Sequence, residues 1–298
     1  SVGKGNYAGG PDDYYPDGYG VKIVGEGVNL WSTTATEANP DNAWEFLNSG
    51  KATVNVFGGQ VGIVTTKVKN NLPYANVFGG SAGEAAPELP ASLTKDRYLY
   101  CPAFFSGYVN ETDVTIGGYK CTTAYGDYKA GDCITAAQYD ALASGQTNWE
   151  QVGPTIVASV YGGGQDGHVR RDTKVTVNSG TIGLAFTDAN KTLLNTTSSN
   201  NNEVLDNPQW LHRGNIYGGG SGISEYKSTL EYATGYPEGD KIPETGNSSS
   251  AGSVTRFTEV NVKGGTIHRN VYGGGSLGSV GAPNLGQSYD PYKKELRS

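Results

Sequence analysis

Methionine is missing altogether from this chain, histidine and cysteine are down to three copies each, and charged side chains make up only 17% of it. Each shortage excludes something. With no methionine there is no initiator, and Ser1 does not open a signal peptide, so the expectation is a mature or excised piece of a longer precursor. The three cysteines, Cys101, Cys121 and Cys133, lack CxxC spacing and a nearby histidine, which argues against a zinc site. A Cys121–Cys133 bridge with one thiol left over is the plain expectation, and free buried thiols are the other reading. Basic residues are outnumbered 22 to 29, a net charge of −7, and nucleic acid requires a basic face. No apolar run is long enough to cross a membrane as a helix, and no basic amphipathic stretch is present.

What is abundant is glycine, 45 residues and about twice the usual share. Thirteen of these sit in one recurring phrase, an aliphatic residue, an aromatic, then two or three glycines. The copies are Val56-Phe57-Gly58-Gly59, Val77-Phe78-Gly79-Gly80, Val160-Tyr161-Gly162-Gly163-Gly164, Ile216-Tyr217-Gly218-Gly219-Gly220 and Val271-Tyr272-Gly273-Gly274-Gly275. A second phrase lies between the later boxes: Thr173-Lys174-Val175-Thr176-Val177 and Thr258-Glu259-Val260-Asn261-Val262, each followed by glycine and Thr-Ile. Thr112-Asp113-Val114-Thr115-Ile116 is a weaker copy. Strict alternation of β-branched and polar residues predicts a strand with its valines on one face, and the glycines after it predict a turn.

Recurrence of a short phrase between variable text is the mark of a stacked repeat. Helical signals are absent within the repeat, which excludes leucine-rich and ankyrin-type stacks. The expected fold is therefore all-β: a parallel β-solenoid (β-helix) with long loop insertions and one or two short helices. Equivalent residues should stand over one another, giving an asparagine ladder of Asn55, Asn76, Asn215 and Asn270, with Ser159 as the exception, and an aromatic column of Phe57, Phe78, Tyr161, Tyr217 and Tyr272.

The boxes are spaced unevenly, so the excess must leave the stack. The expected division is 1–84 with the first two boxes, 85–157 as a cysteine- and tyrosine-containing insertion, and 158–298 with the last three boxes. Loops are expected at 184–213 and 224–253, and helices at Thr135–Ala143 and after Asn39-Pro40. The last box lies near the end of the chain with no segment to cover it, so the expectation is a truncated array.

The run Asn270-Val271-Tyr272-Gly273-Gly274-Gly275-Ser276-Leu277-Gly278-Ser279-Val280, behind a T-x-V-x-V strand and Gly-Thr-Ile, resembles glycine-box repeats of very long secreted proteins of gut Bacteroidota. The resemblance spans the boxes and their strands, about half the chain, and not the insertion 85–157. It implies an adhesin-like, cell-surface β-helix without an assigned activity. The first two boxes depart from the pattern by lacking the third glycine.

The chemical alternative is a β-helix polysaccharide lyase or glycosidase, which needs a base with charge neutralisation, or an acid pair across a cleft. Its candidate residues are Asp166, His168, Arg170 and Asp172, beside Arg171. His212-Arg213 and His268-Arg269 recur just before boxes, a placement that reads as service to the repeat. Gly162–Gly167 lacks the Lys-Ser/Thr of a phosphate loop, and Asp12, Asp13 and Asp17 fit no calcium motif, so no cofactor and no metal are expected. Tyr98, Tyr100, Tyr108, Tyr119, Tyr125 and Tyr128 are candidates for stacking on sugar rings or a protein partner, and equally for a small core of the insertion. The expected role is structural and adhesive, at the cell surface or outside the cell, presenting loops to a host, glycan or partner cell. Self-association into filaments is a further alternative.

Overall fold

The computed structural model describes residues 51–69, 72–83, 107–169, 171–222, 226–227, 245–246, 251–281, 288–290 and 295–297. The T-x-V-x-V phrases form its longest strands. Lys51–Val56, Glu111–Ile116, Thr173–Val177 and Thr258–Val262 lie side by side as one four-stranded parallel sheet in that order. Their register is strict: Val54, Val114, Val175 and Val260 are partners, as are Val56, Ile116, Val177 and Val262. β-branched residues alternating with polar ones form such strands because each pleat then buries one methyl-rich face.

Two shorter sheets repeat the order. Gln60–Val61, Thr155–Ile156, Thr181–Ile182 and Thr266–Ile267 make the second, and Val77–Phe78, Val160–Tyr161, Ile216–Tyr217 and Val271–Tyr272 the third. Each quartet draws one strand from each of four successive stretches of chain, so the three sheets define four rungs. Bridges Val169–Val254 and Val254–Val280, with the parallel pair Tyr108–Val109 and His168–Val169, give a fourth, ragged side. The chain is mostly β, with parallel sheets and a few short helices.

The core runs through the rungs as one cluster of aliphatic side chains. Val114, Ile116, Ile156, Val160, Val175, Val177, Ile182 and Ile216 are fully buried within it. Val54, Val56 and Val61 of rung 1, and Val260 and Ile267 of rung 4, are only partly covered. Dry aliphatic contact supplies most of the stabilisation, about 25 cal/mol per Å² removed from water.

The first recurrence is not a box. Val54-Asn55-Val56-Phe57-Gly58-Gly59-Gln60-Val61 occupies the place of Val260-Asn261-Val262-Lys263-Gly264-Gly265-Thr266-Ile267, as the pairings of both strands require. Phe57 therefore lies at the turn, beside Gly118, and not in the aromatic column; Asn55 is partnered with Thr115 and not with Asn76. Gly59 stands where Gly180 and Gly265 stand, and all three have positive φ (78°, 101° and 91°), which the turn after the long strand demands.

The remaining column holds. Phe78 stacks on Tyr161 at 4.6 Å between ring centroids, Tyr161 on Tyr217 at 4.7 Å, and Tyr217 on Tyr272 at 4.9 Å, all within 15° of parallel. The asparagine ladder works through the backbone. Asn76 Oδ1 accepts from the Ser159 N–H (2.9 Å), Ser159 Oγ from the Asn215 N–H (3.0 Å), and Asn215 Oδ1 from the Asn270 N–H (3.3 Å). Ser159 fits the series because its hydroxyl accepts as an amide oxygen does, while donating to the His212 carbonyl.

Box glycines are present because backbones of neighbouring rungs touch there. A Cβ on Gly79, Gly162 or Gly218 would sit 2.3, 2.2 or 2.3 Å from the carbonyl oxygen of the equivalent glycine one rung on. Across rungs 2, 3 and 4, Thr112, Thr173 and Thr258 donate through Oγ1 to the carbonyls of Gly162, Gly218 and Gly273, at 2.6, 2.5 and 2.5 Å. These threonines tie the long strand to the box opposite.

Among the described residues, three excursions leave the stack. Residues 118–152 leave after the long strand of rung 2 and form an antiparallel three-stranded sheet, with the helix Ala136–Asp140 held by a Thr135–Gln138 capping box. The span 85–157 is thus not one inserted unit, since Glu111–Ile116 and Thr155–Ile156 lie inside the stack. Residues 184–213 are not a loop either: Asp188–Leu193, Asn201–Asp206 and Pro208–Leu211 are helical. Residues 62–69 and 72–76 belong to the third, in which Val68–Lys69 pairs antiparallel with Leu72–Pro73. The helix expected after Asn39-Pro40 lies outside the described residues, as does most of 224–250.

Candidate functional site

The Asp166–Asp172 stretch follows the rung 2 box and is drawn into the stack. Asp166 takes a left-handed backbone (φ 55°), is buried, and donates its N–H to the Ser221 carbonyl at 2.7 Å. His168 is buried too, paired in strand with Tyr108, with Nδ1 3.0 Å from Ser253 Oγ. Asp172 accepts the Phe257 N–H through Oδ1 (3.1 Å) and lies 3.8 Å from Arg256 Nε. Arg171 pairs with Glu111 at 3.3 Å. Arg170 lies outside the described residues. These groups fasten one rung to the next. Two of the four candidate catalytic residues are covered from solvent, and a third is engaged by rung 4.

The His-Arg pairs are one residue out of step, because Gly214 intervenes before Asn215: Asn215 aligns with Asn270, and the Arg269 N–H donates to the Gly214 carbonyl. Arg213 is buried and reaches back to the excursions, donating Nε to the Gln209 carbonyl and Nη2 to the Thr65 carbonyl, both at 2.6 Å. Arg269 donates Nη1 to the Leu205 carbonyl at 3.0 Å. Together they pin the helical excursion, whose own core is Leu194, Val204 and Trp210, with Trp210 Nε1 donating to Thr196 Oγ1 (2.7 Å). Burial lowers the Arg213 guanidinium to about 10, so it stays charged at neutral pH. Burial, then the Arg269 charge, pushes His212 below the usual histidine range.

The helical excursion was missed by treating its Asn, Ser and Thr as loop composition. Thr187, Asn200 and Asn207 each cap a helix with the side chain, and Pro208 follows Asn207 at the first helical position. That signal stood in the sequence.

Among the candidate binding tyrosines, Tyr98 and Tyr100 lie outside the described residues, and Tyr108 is placed by its strand alone. Tyr119 stacks flat on Tyr139, Tyr128 meets Trp149 edge-on at 5.1 Å, and both pack against a core of Cys121, Ile134 and Trp149. Tyr125 lies against Gly145, its hydroxyl 2.8 Å from Ser144 Oγ. So these rings build the excursion from within.

The Cys121–Cys133 bridge is not formed, and both thiols are free. The reason is register. Cys133 is opposite Lys120 in the antiparallel pair, so it shares the exposed face, while Cys121, one residue on, faces the core. Their sulfurs contact the Gly131 and Thr123 carbonyls respectively. Cys101 lies outside the described residues.

Tyr161 has no exposed surface, and its hydroxyl closes no hydrogen bond although Ser276 is near. Burial, then the neighbouring Tyr217 phenol, drives its pKa far above the usual tyrosine range; burial raises that of Tyr217 as well. The unfolded phenols ionise near 10, so the folded state holds their protons longer and loses stability as pH rises beyond that point. We expect urea midpoints to stay level through pH 7–9 with respect to these groups, then fall above about pH 10. Tyr161→Phe should flatten that fall; an unchanged slope would contradict the assignment.

Among the described residues, no three His, Cys, Asp or Glu side chains cluster closely enough to share an ion, and no helix is long and apolar enough to cross a membrane. No family model, curated protein or solved structure matches the chain.

Proposed function

We propose that the chain is a segment of a parallel β-solenoid acting as a structural, adhesive scaffold, exposed at the cell surface or secreted, of the glycine-box kind that the sequence resembles in gut Bacteroidota. The observation that carries this reading is the division of labour along the rungs. Regular positions are spent on stacking: the aromatic column, the asparagine–serine ladder and the threonine ties. The two larger segments that differ from rung to rung, 118–152 and 184–213, stand outside the stack and have cores of their own. A rod with interchangeable outer elements suits recognition of a glycan or protein partner.

The test is a glycan array together with binding to immobilised host and partner cells. A version in which residues 119–151 are replaced by a short Gly-Ser turn should keep its melting temperature and lose binding. A parallel polysaccharide-degradation assay tests the enzyme reading: depolymerisation that disappears in His168→Ala would sink the scaffold role.

A further inference from the structure

Residues 184–213 leave rung 3 through a narrow neck. Gly183 and Gly214 both have positive φ (89° and 79°), and a Cβ on Gly183 would lie 2.2 Å from Gly214 Cα. The neck belongs to the stack, since the Gly183 N–H donates to the Ile156 carbonyl (2.7 Å) and the Gly214 N–H to the Ala158 carbonyl (3.0 Å). Beyond it, side-chain hydrogen bonds to neutral carbonyls hold the helices down. Arg213 Nη2 reaches Thr65, Gln209 Nε2 reaches Thr66 (2.8 Å), and Arg269 Nη1 reaches Leu205. Ser159 Oγ donates to the His212 carbonyl and Asn215 Nδ2 to that of Leu211, while Val64 packs on the helical core.

This docked face collects positive charge without an acid to meet it. His212 is next to Arg213 in the chain and feels the Arg269 charge from rung 4. Among the described residues, no carboxylate comes within 4.0 Å of His212, Arg213 or Arg269. Glu203 accepts from Ser198 and Asn200, and Asp188 pairs with Lys191. Asp206 and Lys67 are exposed, and His268 is exposed over the neck. Three buried atoms at this face have no hydrogen-bond partner: Gln209 Oε1, His212 Nδ1 and Arg213 Nη1.

An imidazole can leave one nitrogen bare only while it is neutral, because the imidazolium carries N–H on both. Protonation would place a donor at Nδ1, where no acceptor lies, and a third positive charge on a face that already holds two guanidiniums. We propose that residues 184–213 form an acid-released module: proton uptake by His212 undocks them from the stack while the rungs stay formed. Undocked, the imidazole meets water and titrates near its ordinary 6.5. Docked, burial first and the Arg269 charge second hold it lower. Docking is therefore at full strength above pH 6.5 and weakens as the pH falls through that value. At pH 5 the loss is capped at about thirtyfold, the ratio of total to unprotonated imidazole when it titrates freely.

Hydrogen exchange on the whole chain, corrected for the intrinsic pH dependence of amides, tests this between about pH 7.5 and about pH 5. Protection at Leu194, Val204 and Trp210, whose N–H groups bond within the module, should fall by up to about thirtyfold. Protection at Val160 and Ile216, which bond between rungs, should hold. His212→Gln removes the proton site and should abolish the fall, whereas His268→Gln should leave it. An absent fall, a fall that survives His212→Gln, or an equal fall at Val160 and Ile216 overturns the proposal. If His212→Gln is unprotected already at neutral pH, NMR titration of the unaltered chain decides. The expected result is a His212 midpoint below 6.5 at which the Trp210 Nε1–H signal moves in step, and any other result overturns it.

Discussion

Gly162→Ala should destabilise the protein by about 3 kcal/mol or more, read as a fall in the urea midpoint. The added Cβ would lie 2.2 Å from the Gly218 carbonyl oxygen and 3.0 Å from Val175 Cγ2. Neither neighbour can yield cheaply. The carbonyl already accepts the Thr173 hydroxyl, and Val175 is fully buried in the core. The same substitution at Gly273 should leave the midpoint almost unmoved, since nothing lies within 4 Å of its Cβ position. Chemistry and box position are identical in the two variants, and only the backbone that would meet the added Cβ differs. Equal losses at both sites would mean that glycine acts through chain entropy, not through contact between backbones.

The second large effect is expected at Tyr161. Truncation to alanine removes a ring held between Phe78 and Tyr217 and leaves a void in the column, costing about 4 kcal/mol. Tyr161→Phe keeps the ring and discards only a hydroxyl with no partner, so its midpoint should hold or rise by up to about 1 kcal/mol. Hydrogen exchange should register the alanine variant first at the amides of Val160 and Ile216, which bond between rungs. Protection unchanged at those amides would show that the column contributes little to rung adhesion.

Much of this arrangement was readable in advance, and the misreadings have physical causes. Alternation in Thr173–Val177 and Thr258–Val262 determines which face is buried, because a pleat has only two faces. The weaker copy at Thr112–Ile116 is a full member of the sheet, sharing the register of both neighbours. Val56-Phe57-Gly58-Gly59 misled because an aliphatic, an aromatic and two glycines describe two different local geometries. In one, glycine permits contact between backbones; in the other it permits positive φ. The preceding Val54-Asn55 and following Gln60-Val61 carried the distinction.

The polar cluster was harder to read. Nothing local tells that Asp166 and His168 are covered, because what covers them comes from elsewhere: Ser221 lies 55 residues further on, and Ser253 lies 85 residues beyond His168. The cysteines failed for a related reason. Spacing allowed a bridge, while a hairpin register that places Cys133 with Lys120 forbade it.

The seam between the second and third sheets shows how bulk is distributed. Rungs 1 and 3 carry excursions there, whereas rung 2 crosses in Val157-Ala158-Ser159 and rung 4 in His268-Arg269-Asn270. Strands repeat every ~4.8 Å, and a helix with its side chains is about 10 Å wide. Ornament can therefore occupy every other storey at most, and the bare storeys are clearance for the furnished ones. Decoration on this side of the stacked sheets has a minimum pitch of two repeats.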